Sequence, residues 1–285
     1  RRSKNIDEQM RDSITTALYG KNNPRKPIFN QDYANKLSFD TMKTIYLERF
    51  ADPSDFEFFI VGDIPTEQLE PFLATYIASL PTSKTKETFK DNYPEWQSDK
   101  IDKDIYIAME DPKTSVNISI KKTSDFSVKN SILIDALGDI MQLRLTETLR
   151  ENEGGVYSPK VRGFLNKEPK TASYLTVDFD CNPDLAEKLI DIVHEEISKI
   201  SKGDVKQTDL DKTLTNFLKE REQFKDKNAY SMSLLTTFYR DGYNMDSPEN
   251  FESIVNKINA KDMQNLAADI LKDGKSFEIV FKPKK

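Results

Sequence analysis

The stretch Leu143–Pro159, LRLTETLRENEGGVYSP, decides how the rest of the chain is read. It closes a helical apolar spacing that begins near Val128 and carries Leu133, Ala136, Leu137, Ile140 and Met141 on one face. Gly154 and Gly155 break that helix after Arg150, and Val156-Tyr157-Ser158 opens a strand over 156–164, paired with a second over 172–180. A helix, a glycine turn and a strand in this order can bring the Arg150 guanidinium and the Tyr157 phenol together at the lip of a sheet. Arginine offers a planar fork of donors to a carbonyl or carboxylate, and a tyrosine hydroxyl can donate to a developing oxyanion. A plainer reading stands beside this one. Arg150 then satisfies the last carbonyls of its own helix, and Tyr157 is an amphipathic strand residue.

Working outward, Ile105–Met109 and Val116–Ile120 read as strands, the second alternating as Val116, Ile118 and Ile120. Downstream, Pro183–Ile200 is an amphipathic helix with Leu185, Leu189, Val193 and Ile197 on one stripe. Helices follow at about 209–224, 229–240, 248–257 and 260–272, Gly274 caps the last, and Phe277, Ile279 and Phe281 alternate in a closing strand. Upstream, Ser38 is placed to cap a helix over 38–50 carrying Met42, Ile45, Tyr46 and Phe50. Phe56–Val61 reads as an apolar strand and Thr66–Leu80 as a helix ended by Pro81. Residues 82–100 are polar and without a sustained period.

Shifting the chain by 221 positions aligns Asn35-Lys36 with Asn256-Lys257, Met42 with Met263, Ile45 with Leu266, Asp52 with Asp273 and Phe56-Glu57 with Phe277-Glu278. A helix, its stop and the following strand thus fall in one register. The alternative is a chance match between two helix–loop–strand units. With the repeat, residues 1–81 are expected to be the C-terminal part of a first α+β domain, 82–100 a linker, and 101–285 a complete second domain. About 120 residues of the first copy would then precede Arg1.

Composition narrows the chemistry. Among 285 residues, 42 Lys and Arg against 48 Asp and Glu give a net charge of -6, with a single His and a single Cys. One imidazole cannot build a two-histidine zinc motif, and one thiol cannot build a disulfide framework or a cysteine zinc site. An acidic chain with scattered cations is a poor partner for nucleic acid. No apolar run approaches the length of a membrane helix. His194, in VHEEIS, has Ser198 at its fourth following position and reads as a structural or surface residue. Glu195-Glu196 reads as a solvated helix face, and Cys181 as an inert thiol.

The string R-L-x-x-x-L-R-E-x-x-G-x-x-Y-S (Arg144–Ser158) resembles the C-terminal-half signature of the pitrilysin/insulinase family of zinc metallopeptidases. The segment Arg49–Ile64, RFADPSDFEFFIVGDI, with the helix ending Ser79-Leu80-Pro81, resembles the close of the preceding domain in that family. The resemblance implies an α+β fold of two similar sheet-plus-helices domains, the first truncated at its N-terminus. It implies that Arg150 and Tyr157 bind substrate across a chamber closed by two halves. Catalytic residues and metal ligands would lie outside this chain. Zinc would be held by an upstream half or partner chain, the partner being that catalytic half and the ligand a peptide substrate. A scaffold or peptide-binding module that kept the fold without the chemistry is the competing expectation. A lone cysteine suits a soluble periplasmic or cytoplasmic protein alike.

Overall fold

The computed structural model describes residues 5–83, 87–88, 90–156, 158–242 and 250–284, without the side chains of Asn152 and Asp241. Its helices are α1 Ile6–Tyr19, α2 Gln31–Asn35, α3 Phe39–Phe50, α4 Thr66–Tyr76, α5 Val128–Leu145, α6 Ala186–Ser201, α7 Gln207–Phe224, α8 Asn228–Asp241, α9 Phe251–Val255 and α10 Ala260–Asp273. The strands are β1 Lys100–Ile107, β2 Thr114–Thr123, β3 Lys160–Asn166, β4 Ala172–Cys181 and β5 Lys275–Pro283. Two compact units divide the chain. One joins Arg1–Ile28, Tyr93–Arg221 and Ser247–Lys285; the other joins Phe29–Asn92 and Glu222–Asp246.

The first unit is a mixed α+β structure built on one five-stranded sheet ordered β1-β5-β2-β4-β3. β5 runs parallel to β1 and antiparallel to β2, and the pairs β2–β4 and β4–β3 are antiparallel. Alternation along each strand divides the side chains between two cores. Val116, Ile118, Leu175, Val177 and Val280 join Ile134, Leu137 and Met141 of α5, Leu189 and Val193 of α6, and Met263 and Ile270 of α10. On the opposite face Ile101, Ile107, Ile279 and Phe281 pack with Ala17 and Leu18 of α1 and with Trp96. Burying one such side chain stabilises by about 1.5–3 kcal/mol, so these two layers supply most of the driving force. The stripe read over 133–141 is accordingly core.

Trp96 is held in place by more than packing. Lys121, 5% exposed, sits 5.7 Å from the Trp96 ring, 5.8 Å from Tyr93 and 5.9 Å from Tyr174, with Glu95 at 3.6 Å. A buried lysine on the Trp96 side of β2 thereby collects the aromatic residues of the 93–96 segment against the sheet.

β3 is an edge strand, and α5 lies hard against it. A Cβ on Gly163 would fall 1.8 Å from the Ile134 carbonyl oxygen, and one on Gly138 would fall 2.2 Å from the Gly163 nitrogen. Both positions need glycine because backbone meets backbone there.

The second unit differs in kind. Ser38 caps α3 as read, its hydroxyl accepting the Thr41 N–H at 3.3 Å, yet no residue of α2, α3 or α4 is buried. Phe39 is 75% exposed and Tyr76 68%. Phe56–Val61 was expected to be a strand and is not one: no described strand of this unit pairs with it. An apolar alternation becomes a strand only when a neighbour takes its backbone groups.

Two further expectations are corrected in the first unit. The strand placed at 156–164 begins only at Lys160, with a lone bridge from Val156 to Cys181 before it. Pro159 brings no N–H to a ladder, and that delays pairing. The helix placed over 128–150 leaves α geometry at Leu145 and continues as a π-helical turn, Thr146–Asn152.

Candidate functional site

The π-helical turn carries Arg150. Its wider coil is visible in the backbone: the Glu153 N–H donates to the Thr148 carbonyl at 3.2 Å and the Gly155 N–H to the Leu149 carbonyl at 3.1 Å. The Gly154 N–H, from a residue at φ +61°, takes the Arg150 carbonyl at 3.1 Å. Three closing carbonyls thus accept from backbone donors, and Arg150 itself is an exposed residue. Gly155 is fixed by space. A Cβ there would meet Leu189 Cδ1 of α6 at 2.9 Å.

Tyr157 lies outside the described residues, but both of its neighbours are placed. Val156 and Ser158 line a cleft of about 610 Å³ between the sheet and the start of α1. Ser115 and Asn117 of β2, Asp178 and Asp180 of β4, Lys160 of β3 and Asp7 of α1 also line it. Ile6, Met10, Val116 and Phe179 line it too, so the turn read in the sequence reaches a concave surface of mixed polar and apolar character. Asp180 accepts from the Ser115 hydroxyl and from Lys113 Nζ, each at 2.5 Å. Burial pushes the Asp178 carboxyl above the usual carboxylate range, against the pull of Arg162 and Lys160. The cleft offers hydroxyl, amide, carboxylate and ammonium groups within one surface, the mixture that a peptide backbone and its polar side chains require.

Sequence reasoning missed what holds the turn. Arg144, at the end of α5, is 3% exposed; its Nη1 lies 3.2 Å from Glu196 Oε2 and 3.4 Å from Asp204 Oδ2. Its Nη2 donates to the Asp204 carbonyl. Glu196 was read as part of a solvated face with Glu195. Glu195 is exposed, but Glu196 is buried at 6% because it shares the stripe of Leu189, Val193 and Ile197 that faces α5. A signal was available in the sequence, since Arg144 follows Ile140 by four residues on a fully apolar helical stripe, where a charge requires a partner. Glu147 and Glu153, on either side of Arg150, pair with Lys206 at 2.7 Å and Lys188 at 2.5 Å.

The other singled-out residues fall elsewhere. His194 Nε2 is 2.6 Å from Glu278 Oε2, an α6–β5 clamp on a half-exposed ring. Cys181 is buried, and desolvation pushes its thiol up to about 11, which keeps it protonated and unreactive. Among the described residues no group of three or more His, Cys, Asp or Glu could hold a metal ion. No described helix is long and apolar enough to cross a membrane.

The family profile described as "Peptidase M16 inactive domain" matches residues 36–217. The probable zinc protease PqqL of Haemophilus influenzae is 23% identical over 224 residues, covering 78% of this chain and 23% of its own length. A PQQL-like zinc protease of Arabidopsis thaliana is 26% identical over 205 residues, covering 67% of this chain and 21% of its own. The chain thus spans less than a quarter of the length of these two relatives. Among solved structures, the periplasmic protease PqqL from Escherichia coli superposes with a TM-score of 0.78 at 16% identity, covering 98% of this chain and 30% of that one. The ferredoxin protease FusC, solved as a mutant in complex with Arabidopsis ferredoxin, gives 0.78 at 16% identity over 100% of this chain and 31% of that chain. A peptidase M16 inactive domain from Pseudomonas fluorescens gives 0.72 at 14% identity over 100% and 67%. A profile match over more than half of its residues shows that the chain belongs to the M16, or pitrilysin/insulinase, peptidases as a member of their inactive domain.

Proposed function

We propose that this chain is the substrate-binding, chamber-closing part of a zinc metallopeptidase that hydrolyses peptide bonds in peptides. The observation that supports the reading is that the glycine turn following the exposed Arg150 reaches a cleft at Val156 and Ser158. Zinc, held by a catalytic half upstream in the same polypeptide or in a separate chain, would supply an activated water. The residues of this chain would do the rest of the handling. Arg150 would hold a substrate carbonyl or carboxylate in its planar fork. The Tyr157 hydroxyl would donate to the oxygen on which charge develops as the scissile carbonyl is attacked. The cleft groups would take the adjoining peptide.

The domain reading rests on the 221-residue repeat and on the exposed apolar faces of the second unit. Residues 1–81 would close a first α+β copy, 82–100 connect, and 101–285 form the second copy, with α1 and Trp96 contributing to the core of that second copy. Kinetics of the intact peptidase test the functional reading. Arg150→Ala or Tyr157→Phe should lower kcat/KM by roughly 100-fold, as loss of one oxyanion donor does elsewhere, while bound zinc stays unchanged. Unaltered kcat/KM in both variants would reject the role and favour a scaffold.

A further inference from the structure

The loop bearing Arg150 and Tyr157 leaves α5 at Leu145 and returns at Lys160, the first residue of β3. One side chain touches both of its ends. Gln142 Oε1 accepts the Val161 N–H at 2.8 Å, and Gln142 Nε2 donates to the Pro159 carbonyl at 3.0 Å. The same Nε2 donates to Thr146 Oγ1 at 3.0 Å, and Thr146 Oγ1 donates back to the Gln142 carbonyl at 2.7 Å. The helix end, the first residue of the π-helical turn and the strand start are thereby joined through one amide.

The fold makes this reach possible. Gly138 and Gly163 let α5 and β3 approach backbone to backbone, and Gln142 follows Gly138 by one helical turn on the same face. β3 is the edge of the sheet, so the outward N–H of Val161 has no strand to pair with. Gln142 takes the position a neighbouring strand would occupy. A half-buried glutamine with its carbonyl and amide both engaged by backbone on the far side of a loop is a staple across that loop, not a solvated polar residue.

We propose that Gln142 is a positioning residue for the peptidase reaction, fixing the two ends of the loop so that Arg150 and Tyr157 are presented together. This rests on the proposed substrate role of those two residues. Gln142 itself need touch no substrate. Freeing one loop end would let both groups drift, and a misplacement of about 1 Å can cost a reaction up to about 100-fold.

The test uses the intact polypeptide and two variants. Gln142→Met removes all three side-chain bonds at similar volume, and Gln142→Glu keeps the acceptor for Val161 while losing the amide donor to Pro159 and Thr146. Hydrogen exchange at Gly154, Gly155 and Val156 should quicken about tenfold or more in Gln142→Met, while exchange at Leu137–Met141 holds. The kcat/KM should fall between about 10- and 100-fold, mainly through kcat, with Gln142→Glu in between. Combined with the double variant Arg150→Ala and Tyr157→Phe, the Gln142→Met loss should largely vanish, since groups already removed cannot be misplaced. Fully additive losses, or unchanged loop exchange, would overturn the proposal; a purely structural glutamine gives additivity. If Arg150→Ala and Tyr157→Phe leave kcat/KM intact while the loop still loosens in Gln142→Met, the staple stands and the substrate reading of the loop fails instead.

Discussion

The helix α10 with its following strand β5, and the helix α3 with the segment 56–61 after it, carry one sequence pattern in two different states. Met263, Ala267 and Ile270 of α10 are buried, and Ile279, Val280 and Phe281 of β5 lie inside a five-stranded sheet. At the same register Met42 and Tyr46 of α3 are half or more exposed, and Ile60 is 44% exposed without a strand around it. Local instructions are equally good in both. Ser38 caps one helix and Asn259 the other, the latter in a full capping box. The difference lies in what the pattern is pressed against. Caps and periodicity specify a helix; a sheet with its own core turns that helix into a stable layer.

The comparison can be broken most forcefully at Phe281, which is fully buried. Phe281→Ala should cost about 3–5 kcal/mol in denaturant unfolding, whereas Ile60→Ala, its counterpart, should change stability by no more than about 0.5 kcal/mol. Next, Met263→Ala should cost about 2–5 kcal/mol and Met42→Ala again almost nothing. Equal effects of Met42→Ala and Met263→Ala in the 285-residue chain would show that the two copies are packed alike.

Smaller effects probe local structure. Asn259→Ala should lose about 1 kcal/mol through its cap, measured as a lowered unfolding midpoint. Ser38→Ala should reduce helicity near residues 39–50 with little change in that midpoint. The least effect belongs to the α6–β5 clamp. The hydrogen bond to Glu278 raises the His194 pKa, aided by Asp191 and opposed by burial and Lys100. A folded value above the unfolded one stabilises at low pH. The advantage of the native chain over His194→Gln should be complete below the ordinary imidazole value of about 6.5 and fade as pH rises through the raised value. A gap that instead widens with pH would reject the clamp.

Much of this was legible because it depends on short-range rules. The stripe from Leu133 to Met141, the Gly154-Gly155 break, the β3–β4 pair and the Phe277–Phe281 alternation each declare themselves within a few residues. The strand at 56–61 was misread because its pattern is that of β5, and the pattern does not say whether a partner strand is near. Glu196 was misread for a related reason: charge suggested solvent, while the stripe shared with Val193 and Ile197 decided burial. The Gln142 staple and the Arg144 pair depend on a backbone approach at Gly138 and Gly163, residues 25 positions apart, which no local spacing reports. Of the candidate site, the Arg150 turn could be read directly, and the cleft it opens onto could not.

The central claim is that this chain handles substrate for a zinc peptidase without carrying the metal. The most direct measurement is zinc content and peptide cleavage of the 285-residue chain alone, and again after mixing with the half that holds the zinc motif. The account predicts no stoichiometric zinc and no cleavage alone, with cleavage on mixing that Arg150→Ala abolishes. Stoichiometric zinc together with peptide cleavage by the chain alone would contradict it.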